Sequence, residues 1–396
     1  MQNSDRLAME QQDYVIGLRR ELHRIPETRF ETKGTRDVIL REIKYLASSC
    51  LGTCRFGIPR ESKGGIVFDI DVPGCTDRIL FRADFDALLI EEDTGLEFSS
   101  ANKGVSHACG HDAHVAMLMG FLKSVSDGKL VPVHNLRIVF QDGEENPGVP
   151  PETESGGEIL VREGVTESVS YVYTLHVLVD NNSRNGVFIS RGGAMLANTG
   201  RICMKINSTG GHAGMPDTGV NALRVVRNVM DRLDLLRLEI AGSIGDVALE
   251  PVILNAGKSS NVMPSGAEMW YSFRSLIPRE QHLEISNRIV SEIKKTASDM
   301  NAEIDAVSMP GAPLLVNDHD EFKRVFKLLN VNGQKAVEAP PMLGGEDFAH
   351  YLYRVPGVVF WLDAGQEGTG KQHTPKFNPD ENVLWKGVHF WMLLAV

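Results

Sequence analysis

The segment Arg78-Ile-Leu-Phe-Arg-Ala-Asp84 is short, mostly apolar and followed by a turn, which is typical of a buried β-strand. The same pattern recurs in the first half of the chain at residues 64–72, 136–141 and 171–177. Residues 113–125 predict a buried helix, and residues 13–22 an amphipathic one. Because strands alternate with helices, we expect an α/β domain with a mostly parallel sheet.

The middle of the chain has a different order of elements. Strands are predicted at residues 202–207, 251–254, 268–273 and 302–307, with helices at about 218–238 and 278–298. This β-α-β-β-α-β order is the split unit of ferredoxin-like folds. We therefore expect an α+β domain at residues 188–307, inserted into an α/β domain formed by residues 1–187 and 308–396.

Bulk properties exclude several classes of protein. The 396 residues carry a formal net charge of −11, which argues against nucleic acid or an anionic membrane as a partner. Apolar stretches stop short of the roughly 18 residues of a membrane span, and the N-terminus lacks a signal-peptide core. The five cysteines form no C-x-x-C pair, so we expect no disulfide framework and a cytoplasmic location.

Polar side chains follow several of the predicted strands, where open α/β sheets place their sites. They are Asp84, Asp86, Asp142, Glu144, Glu145 and His176, with Cys109 and His111 in the loop 106–114 and His373 after the strand at 358–363. Each residue alone has an ordinary structural explanation. Together they are costly to bury unless a cation compensates their charge, so the set predicts a metal site.

The ligand types indicate which metals fit. One thiolate with imidazoles and carboxylates suits zinc, manganese or cobalt better than calcium or magnesium, and the set is large enough for two ions. A cysteine hydrolase using Cys109 is the rival, but the surrounding carboxylates would raise the pKa of the thiol and disfavour it. The sequence has no H-E-x-x-H or G-x-S-x-G motif, and Gln372 breaks the phosphate-loop likeness of residues 365–371.

The chain resembles the two-metal exopeptidases and amidohydrolases, in the branch of aminoacylases, hippurate hydrolases and auxin-conjugate (IAA-amino acid) amidohydrolases. The motifs lie in order from about residue 18 to 390. They are L-H-R-I-P-E (22–27), R-A-D-F-D-A-L (82–88), S-H-A-C-G-H-D-A-H (106–114), G-E-E (143–145), L-H-V (175–177), G-G-H-A-G-M-P (210–216), N-V-M-P (261–264), F-R-S (273–275), G-E-D-F (345–348) and H-T-P-K-F (373–377).

The resemblance implies a phosphorylase/hydrolase-like catalytic domain with two divalent ions per subunit, zinc or manganese, with cobalt or nickel as alternatives. It implies that the ligands are Cys109, His111, Glu145, His176 and His373. Glu144 would be the general base that deprotonates a metal-bound water and then protonates the leaving amine. Asp86 falls where the family keeps an orienting aspartate. Asp84 falls where other branches have a histidine ligand, so its role stays open.

The resemblance also gives the inserted domain a role as lid and dimerisation domain. Catalytic His212 would reach into the partner subunit's site and stabilise the oxyanion. Asn261 and Arg274 would hold the substrate carboxylate. The implied assembly is a homodimer, or a tetramer. The chain departs from the family pattern at Q-D-G-E-E (141–145) in place of Q-P-A-E-E, at Leu89 in place of Pro, and at Asp217 in place of His.

We therefore expect a metal-dependent hydrolase that cleaves the amide bond of N-acyl amino acids, as aminoacylases and hippurate hydrolases do. A dipeptidase or carboxypeptidase of the same family is the alternative. A non-catalytic binding protein with a structural metal site is the rival from another class, and the spare carboxylate of Glu144 argues against it.

Overall fold

The computed structural model describes residues 3–145, 153–179 and 185–396. The chain divides into two compact units. Unit 1 comprises Met1–Gly193, Val316–Pro340 and His350–Val396, and unit 2 comprises Ala194–Leu315 and Pro341–Ala349. The assignment of a catalytic domain and a lid domain to particular segments stays a prediction.

Helices and short 3₁₀ turns occur in both units. The helices are α1 (Asn3–Met9), α2 (Gln12–His23), α3 (Lys33–Ser48), α4 (His111–Ser126), α5 (Gly156–Arg162), α6 (Ala222–Ile244), α7 (Arg279–Ser298), α8 (His319–Val331), α9 (Ala349–Leu352) and α10 (Leu384–Ala395). The 3₁₀ turns are Pro216–Thr218 and Glu381–Val383.

Strands likewise occur in both units. They are β1 (Arg55–Phe56), β2 (Arg60–Ser62), β3 (Gly65–Asp71), β4 (Arg78–Asp84), β5 (Asn135–Gln141), β6 (Tyr171–Leu178), β7 (Phe188–Ser190), β8 (Gly193–Leu196), β9 (Asn198–Asn207), β10 (Gly211–His212), β11 (Val247–Ala256), β12 (Val262–Met263), β13 (Gly266–Ser275), β14 (Glu303–Pro310), β15 (Leu315–Asn317), β16 (Ala336–Glu338) and β17 (Gly357–Asp363).

The sheet of unit 1 has the order β1-β3-β5-β4-β6-β17-β7-β16, with β2 paired to β3. Its centre is parallel, since β4 pairs in parallel with both β5 and β6, and β6 with β17. Antiparallel pairs occur toward the edges, as between β3 and β5. The predicted α/β fold with a mostly parallel sheet is confirmed. The parallel centre brings the carboxyl ends of β4, β5, β6 and β17 to one edge.

The core of unit 1 fixes where α4 begins. Small residues let this helix pack closely, and an added Cβ at Gly120 would lie 2.6 Å from Val15 and 2.9 Å from Val388. The ring of Phe81 on β4 packs against Phe121 of α4 at 5.5 Å and against Trp391 of α10 at 4.8 Å. The N-terminus of α4 is thereby held beside the carboxyl ends of the central strands.

Unit 2 contains a four-stranded antiparallel sheet of order β11-β13-β9-β14. The elements follow the predicted β-α-β-β-α-β order, with α6 after β9 and α7 after β13. Alternate residues of β9 are buried (Ile202, Met204 and Ile206) and pack in one core with residues of both helices. Strands β10 and β12 form a short antiparallel pair that the sequence interpretation did not include.

The helices within the described ranges include no candidate for a membrane span. Each helix there is too short or too polar to cross a bilayer.

Candidate metal and catalytic site

The five predicted metal ligands lie together in unit 1. Ligand atoms lie within 4.8 Å of one another in three overlapping groups: Cys109, His111 and His176; Cys109, Glu145 and His373; and His111, Glu144 and Glu145. Because the groups share members, they form one set of side chains, called the ligand cluster below. The cluster also contains Glu144, the predicted general base.

The loop before α4 places Cys109 and His111 next to each other in the cluster. Gly110 between them has a φ of +88°, and a Cβ there would lie 2.2 Å from a methyl group of Val177. Only glycine fits this backbone conformation and this close approach without strain. The backbone N–H of His373 donates to the carbonyl of Ala108 at 2.8 Å, which ties the loop after β17 to the same segment.

The buried Asp86 holds the two glutamates that follow β5. Its Oδ1 accepts the backbone N–H of Glu144 and its Oδ2 accepts that of Glu145, both at 3.1 Å. Oδ1 also lies 3.6 Å from Nδ1 of His111. One carboxylate therefore orients both glutamates and faces the ring of a third cluster member.

Burial and the neighbouring charges shift the pKa values of the cluster strongly. Burial, together with the charges of Glu145 and Glu144, holds the pKa of the Cys109 thiol well above its usual value. Burial alone would lower the pKa of His111, but the nearby carboxylates, Asp84 foremost, raise it to about 10. Without a metal ion, the cluster therefore retains protons on both of these groups at neutral pH.

Two other members already have the ionisation state of a ligand. Burial lowers the pKa of His176 to about 3, so its imidazole is neutral. Burial would raise the pKa of Glu145, but His373 and His111 lower it to about 2, so its carboxylate is ionised. Neutral imidazoles and ionised carboxylates are the forms that bind metals.

Unsatisfied polar atoms show that the cluster fits a divalent ion. Among the described residues, neither ring nitrogen of His111 nor Oε1 of Glu145 has a hydrogen-bond partner, although all three atoms are buried. Nε2 of His111 lies 3.6 Å from Oε1 of Glu145, too far for a hydrogen bond. Each unsatisfied buried group costs about 1–3 kcal/mol. A metal ion bound between Nε2 of His111 and Oε1 of Glu145 would satisfy those two atoms, while Nδ1 of His111 faces Asp86.

The unusual Asp142 of the Q-D-G-E-E segment has partners of its own. Its carboxylate accepts hydrogen bonds from the backbone N–H of Phe30 at 3.0 Å and from the hydroxyl of Thr32, and it forms an ion pair with Arg36 at 2.9 Å. The added acidic charge is thus compensated by a guanidinium. No sequence pattern links Arg36 to residue 142, so sequence reasoning missed this contact.

A second contact that the sequence interpretation missed supports the start of α4. Oδ2 of the buried Asp112 lies 2.9 Å from Nε of Arg19 and 2.7 Å from Nδ1 of His23. His23 belongs to the L-H-R-I-P-E motif, which the sequence could place in the family but not in the site. Two residues of α2 therefore anchor the residue that directly follows His111.

The three predicted residues of unit 2 lie at the β10–β12 strand pair and on the four-stranded sheet. His212 on β10 pairs with Val262, and the N–H of Ala213 donates to the carbonyl of Asn261 at 3.0 Å. Arg274 on β13 donates from Nη1 to the carbonyl of Leu343 at 2.9 Å. Burial lowers the pKa of Arg274. His212 and Asn261 thus lie close together at the β10–β12 pair, and Arg274 is half-buried on the four-stranded sheet.

Comparison with known proteins identifies the family. The sequence model of Peptidase family M20/M25/M40 matches residues 80–396. The chain belongs to this family. The resemblance inferred from the motifs is therefore confirmed, and this M20 protein is a metal-dependent hydrolase of amide bonds.

Curated relatives match over nearly their whole length. Thermostable carboxypeptidase 1 of Saccharolobus solfataricus is 30% identical over 98% of this chain and 96% of its own. IAA-amino acid hydrolase ILR1-like 4 of Arabidopsis thaliana is 30% identical over 97% of this chain and 85% of its own. The crystal structure of a dinuclear metal-binding M20 peptidase of Bacillus subtilis shares the fold, with a TM-score of 0.77, 24% identity and 98% of each chain covered.

The high pKa values of Cys109 and His111 predict that metal binding releases protons. A metal ion needs a thiolate and a neutral imidazole, so binding of Co²⁺ at pH 7.5 is expected to release about two protons per chain. The affinity is then expected to rise with pH toward the pKa of His111. Titration calorimetry in buffers of different ionisation enthalpy measures the number of protons.

The variant Cys109→Ser is the control for this measurement, since it removes the thiol proton and should lower the count by one. A binding enthalpy that does not depend on the buffer would contradict the predicted protonation of the metal-free cluster.

Proposed function

We propose that this M20 hydrolase removes the acyl group from N-acyl amino acids, using two divalent ions held by the ligand cluster. One observation supports this most directly: Glu144 lies among the ligand atoms, on a backbone that Asp86 holds in place. A structural metal site has no need of such an additional carboxylate. The proposed ligands are Cys109, His111, Glu145, His176 and His373.

The names of the relatives support the substrate class. They include N-acetyldiaminopimelate deacetylase of Streptococcus sanguinis, at 30% identity over 94% of this chain and 95% of its own. N-acetylcysteine deacetylase of Bacillus subtilis is 28% identical over 96% of each chain. In these names and in that of the IAA-amino acid hydrolase, the cleaved nitrogen belongs to an amino acid. We infer that the leaving group here is an amino acid with a free carboxylate.

The roles of the residues follow from their positions. Cys109, His111 and Glu145 each belong to two of the ligand groups, and together with His176 and His373 they would hold the two ions. Two divalent ions there would polarise the scissile carbonyl and lower the pKa of a water molecule. Glu144 takes the proton of the water and passes it to the leaving nitrogen. Zinc or manganese suits the mixed donors, with cobalt or nickel as alternatives.

Glu144→Gln tests this role because the amide cannot accept the proton. We expect kcat to fall by at least about 10²–10⁴-fold on N-acetyl amino acids, with the metal content unchanged. Hydrolysis rates and metal analysis of the same preparation measure both quantities. The exposed Glu97→Gln is the matched control and should keep full activity. Normal turnover by the Glu144 variant would disprove the mechanism.

A carboxypeptidase or dipeptidase remains the second candidate, since the thermostable carboxypeptidases 1 and 2 are 30% and 29% identical to the chain. Both candidates share the amino acid with a free carboxylate and differ only in the group on the other side of the amide bond. Specificity constants for N-acetyl amino acids, hippurate and dipeptides distinguish the two. Faster cleavage of dipeptides would favour the peptidase.

We propose that Arg274, with Asn261, binds the substrate carboxylate. The guanidinium donates only to neutral oxygens in the contacts the structure gives, the carbonyl of Leu343 and the hydroxyl of Ser272. Within the described ranges, no salt bridge joins Arg274 to a carboxylate. A half-buried guanidinium without a counter-charge suits an incoming carboxylate, which it can bind with two parallel hydrogen bonds.

Arg274→Gln is expected to raise KM by about 10–100-fold, the loss of one charge-assisted interaction of about 1.5–3 kcal/mol. Replacing the carboxylate of the substrate by a carboxamide should raise KM by a similar factor with the parent enzyme. With the Arg274 variant, the same replacement should change KM little. Steady-state kinetics on both substrates measures this, with the exposed Arg227→Gln as control. If the variant still discriminates between the two substrates, the assignment of Arg274 is wrong.

We propose that the protein is a homodimer that pairs through β11, and that His212 acts in the partner's site. Strand β11 is an edge of its sheet, and it exposes three successive apolar residues, Val252, Ile253 and Leu254. An exposed apolar edge strand is a surface that pairs with another chain. A tetramer would need a further surface.

The double variant Val252→Lys/Leu254→Lys is expected to be monomeric by light scattering. The control Val307→Lys, on the opposite edge strand β14, should leave the dimer intact. Co-expression of Glu144→Gln and His212→Ala chains should restore activity, because one site of each mixed dimer combines an intact Glu144 with the partner's intact His212. A fully active monomer, or no recovery in mixed dimers, would contradict action across the dimer.

A further inference from the structure

Asp84 is the acidic residue at the end of β4 whose role the sequence left open. Its Oδ2 accepts from Nη1 of Arg82 at 2.7 Å, and its Oδ1 lies 2.5 Å from Nδ1 of His114. All three side chains are buried. Both carboxylate oxygens of Asp84 are therefore engaged by a guanidinium and an imidazole.

His114 continues this chain of contacts to strand β6. The pairing of β4 with β6 runs as far as Arg82 opposite Thr174, whereas β6 continues to Leu178. Beyond that point Nε2 of His114 accepts the backbone N–H of Val177 at 2.8 Å. Because a backbone N–H can only donate, Nε2 is the acceptor nitrogen, and Nδ1 carries the hydrogen that is donated to Asp84. The imidazole thus bridges β4 and β6 where their backbones separate.

The backbone carbonyl of Val177 accepts hydrogen bonds from two side chains, each on a segment that carries a proposed metal ligand. Nδ1 of His176 donates to this oxygen at 2.5 Å, which leaves Nε2 of His176 facing Sγ of Cys109 at 3.5 Å. Nε2 of Gln372 donates to the same oxygen at 3.0 Å, next to His373 in the chain. Val177, whose N–H is bound by His114, therefore contacts the segments that carry the proposed ligands His176 and His373.

The side chain of Val177 adds a third contact. Its methyl group occupies the space that a Cβ at Gly110 would need, between Cys109 and His111. One residue therefore meets the segments that carry Cys109, His111, His176 and His373.

A third metal ion is the competing explanation, because ligand atoms of Asp84, His111 and His114 lie within 4.8 Å of one another. The hydrogen bonds argue against it. The lone pair of Nε2 of His114 is occupied by the N–H of Val177, and Nδ1 carries a hydrogen. His114 has no free donor atom for a metal.

We propose that Arg82, Asp84 and His114 form a positioning chain that fixes Val177 and, through it, the metal ligand His176. The proposal rests on the proposed function in one respect, that His176 is a metal ligand. Residues that orient metal ligands typically contribute 10–100-fold to metal affinity. The chain contributes to metal affinity without binding a metal.

Two substitutions test the two hydrogen bonds of His114 one at a time. In His114→Gln the amide oxygen can reach the place of Nε2 and accept from Val177. In His114→Asn the shorter amide keeps a donor for Asp84 but leaves the N–H of Val177 without an acceptor. Tyr173→Phe is the matched control, since Tyr173 lies on β6 and its hydroxyl donates to the buried Glu321 at 2.6 Å.

The experiment is a Co²⁺ titration of the metal-free protein, followed by chelator competition and visible absorption. His114→Asn is expected to bind the same number of ions per chain as the parent, about 10–100-fold more weakly. His114→Gln should recover most of the loss. Tyr173→Phe should lower the melting temperature of the metal-free protein and leave the Co²⁺ affinity unchanged.

Other outcomes would overturn the proposal. The loss of one whole ion from both His114 variants, with unchanged affinity for the rest, would show a third metal site. Parental affinity in His114→Asn, or equal weakening in Tyr173→Phe, would show that His114 has no positioning role. If His114→Asn does not fold, Asp84→Asn replaces it, with the same expected weakening and the same contradicting results.

The test also distinguishes this proposal from the proposed function. A parent protein that binds no Co²⁺ overturns both. A parent that binds Co²⁺ but hydrolyses no N-acyl amino acid overturns the function alone, and the affinities of the variants still decide the role of His114.

Discussion

The burial of ionisable groups at the carboxyl ends of β4, β5 and β6 is the constraint on which the rest of unit 1 depends. Six ionisable side chains lie there, buried or half-buried: Asp84, Asp86, Asp142, Glu144, Glu145 and His176. Such groups are costly to bury unless they are compensated. The surrounding structure supplies that compensation in fixed places. Asp86 accepts two backbone N–H groups, Arg82 balances Asp84, and Arg36 balances Asp142. Nε2 of His111 and Oε1 of Glu145 are left unsatisfied, and a metal ion bound by them would complete the compensation.

Much of this arrangement could be predicted from the sequence. Apolar strands alternating with a small-residue helix predicted the parallel centre of the sheet, because period and composition reflect burial directly. The residues after the strands predicted the ligand cluster, since parallel strands bring their carboxyl ends to one edge. The motifs then gave Glu144 its place beside Glu145.

Contacts between segments that are distant in the chain could not be predicted from the sequence. The ion pair of Asp142 with Arg36 and the contacts of Asp112 with Arg19 and His23 join positions about 90 to 110 residues apart. No spacing rule connects such residues, because the path between them is set by how whole elements pack. The role of Val177 could not be predicted from the sequence for another reason. It acts through its backbone, which has the same chemistry in every residue except proline.

The protonation of His111 has a consequence for how the cluster would bind a metal ion. In the absence of metal, its positive charge lies among the carboxylates of Asp84, Asp86 and Glu145, so the polypeptide carries a counter-ion of its own. A metal ion bound by His111 would displace this proton. One positive charge would then replace another, and the surrounding carboxylates would keep a counter-charge throughout the exchange.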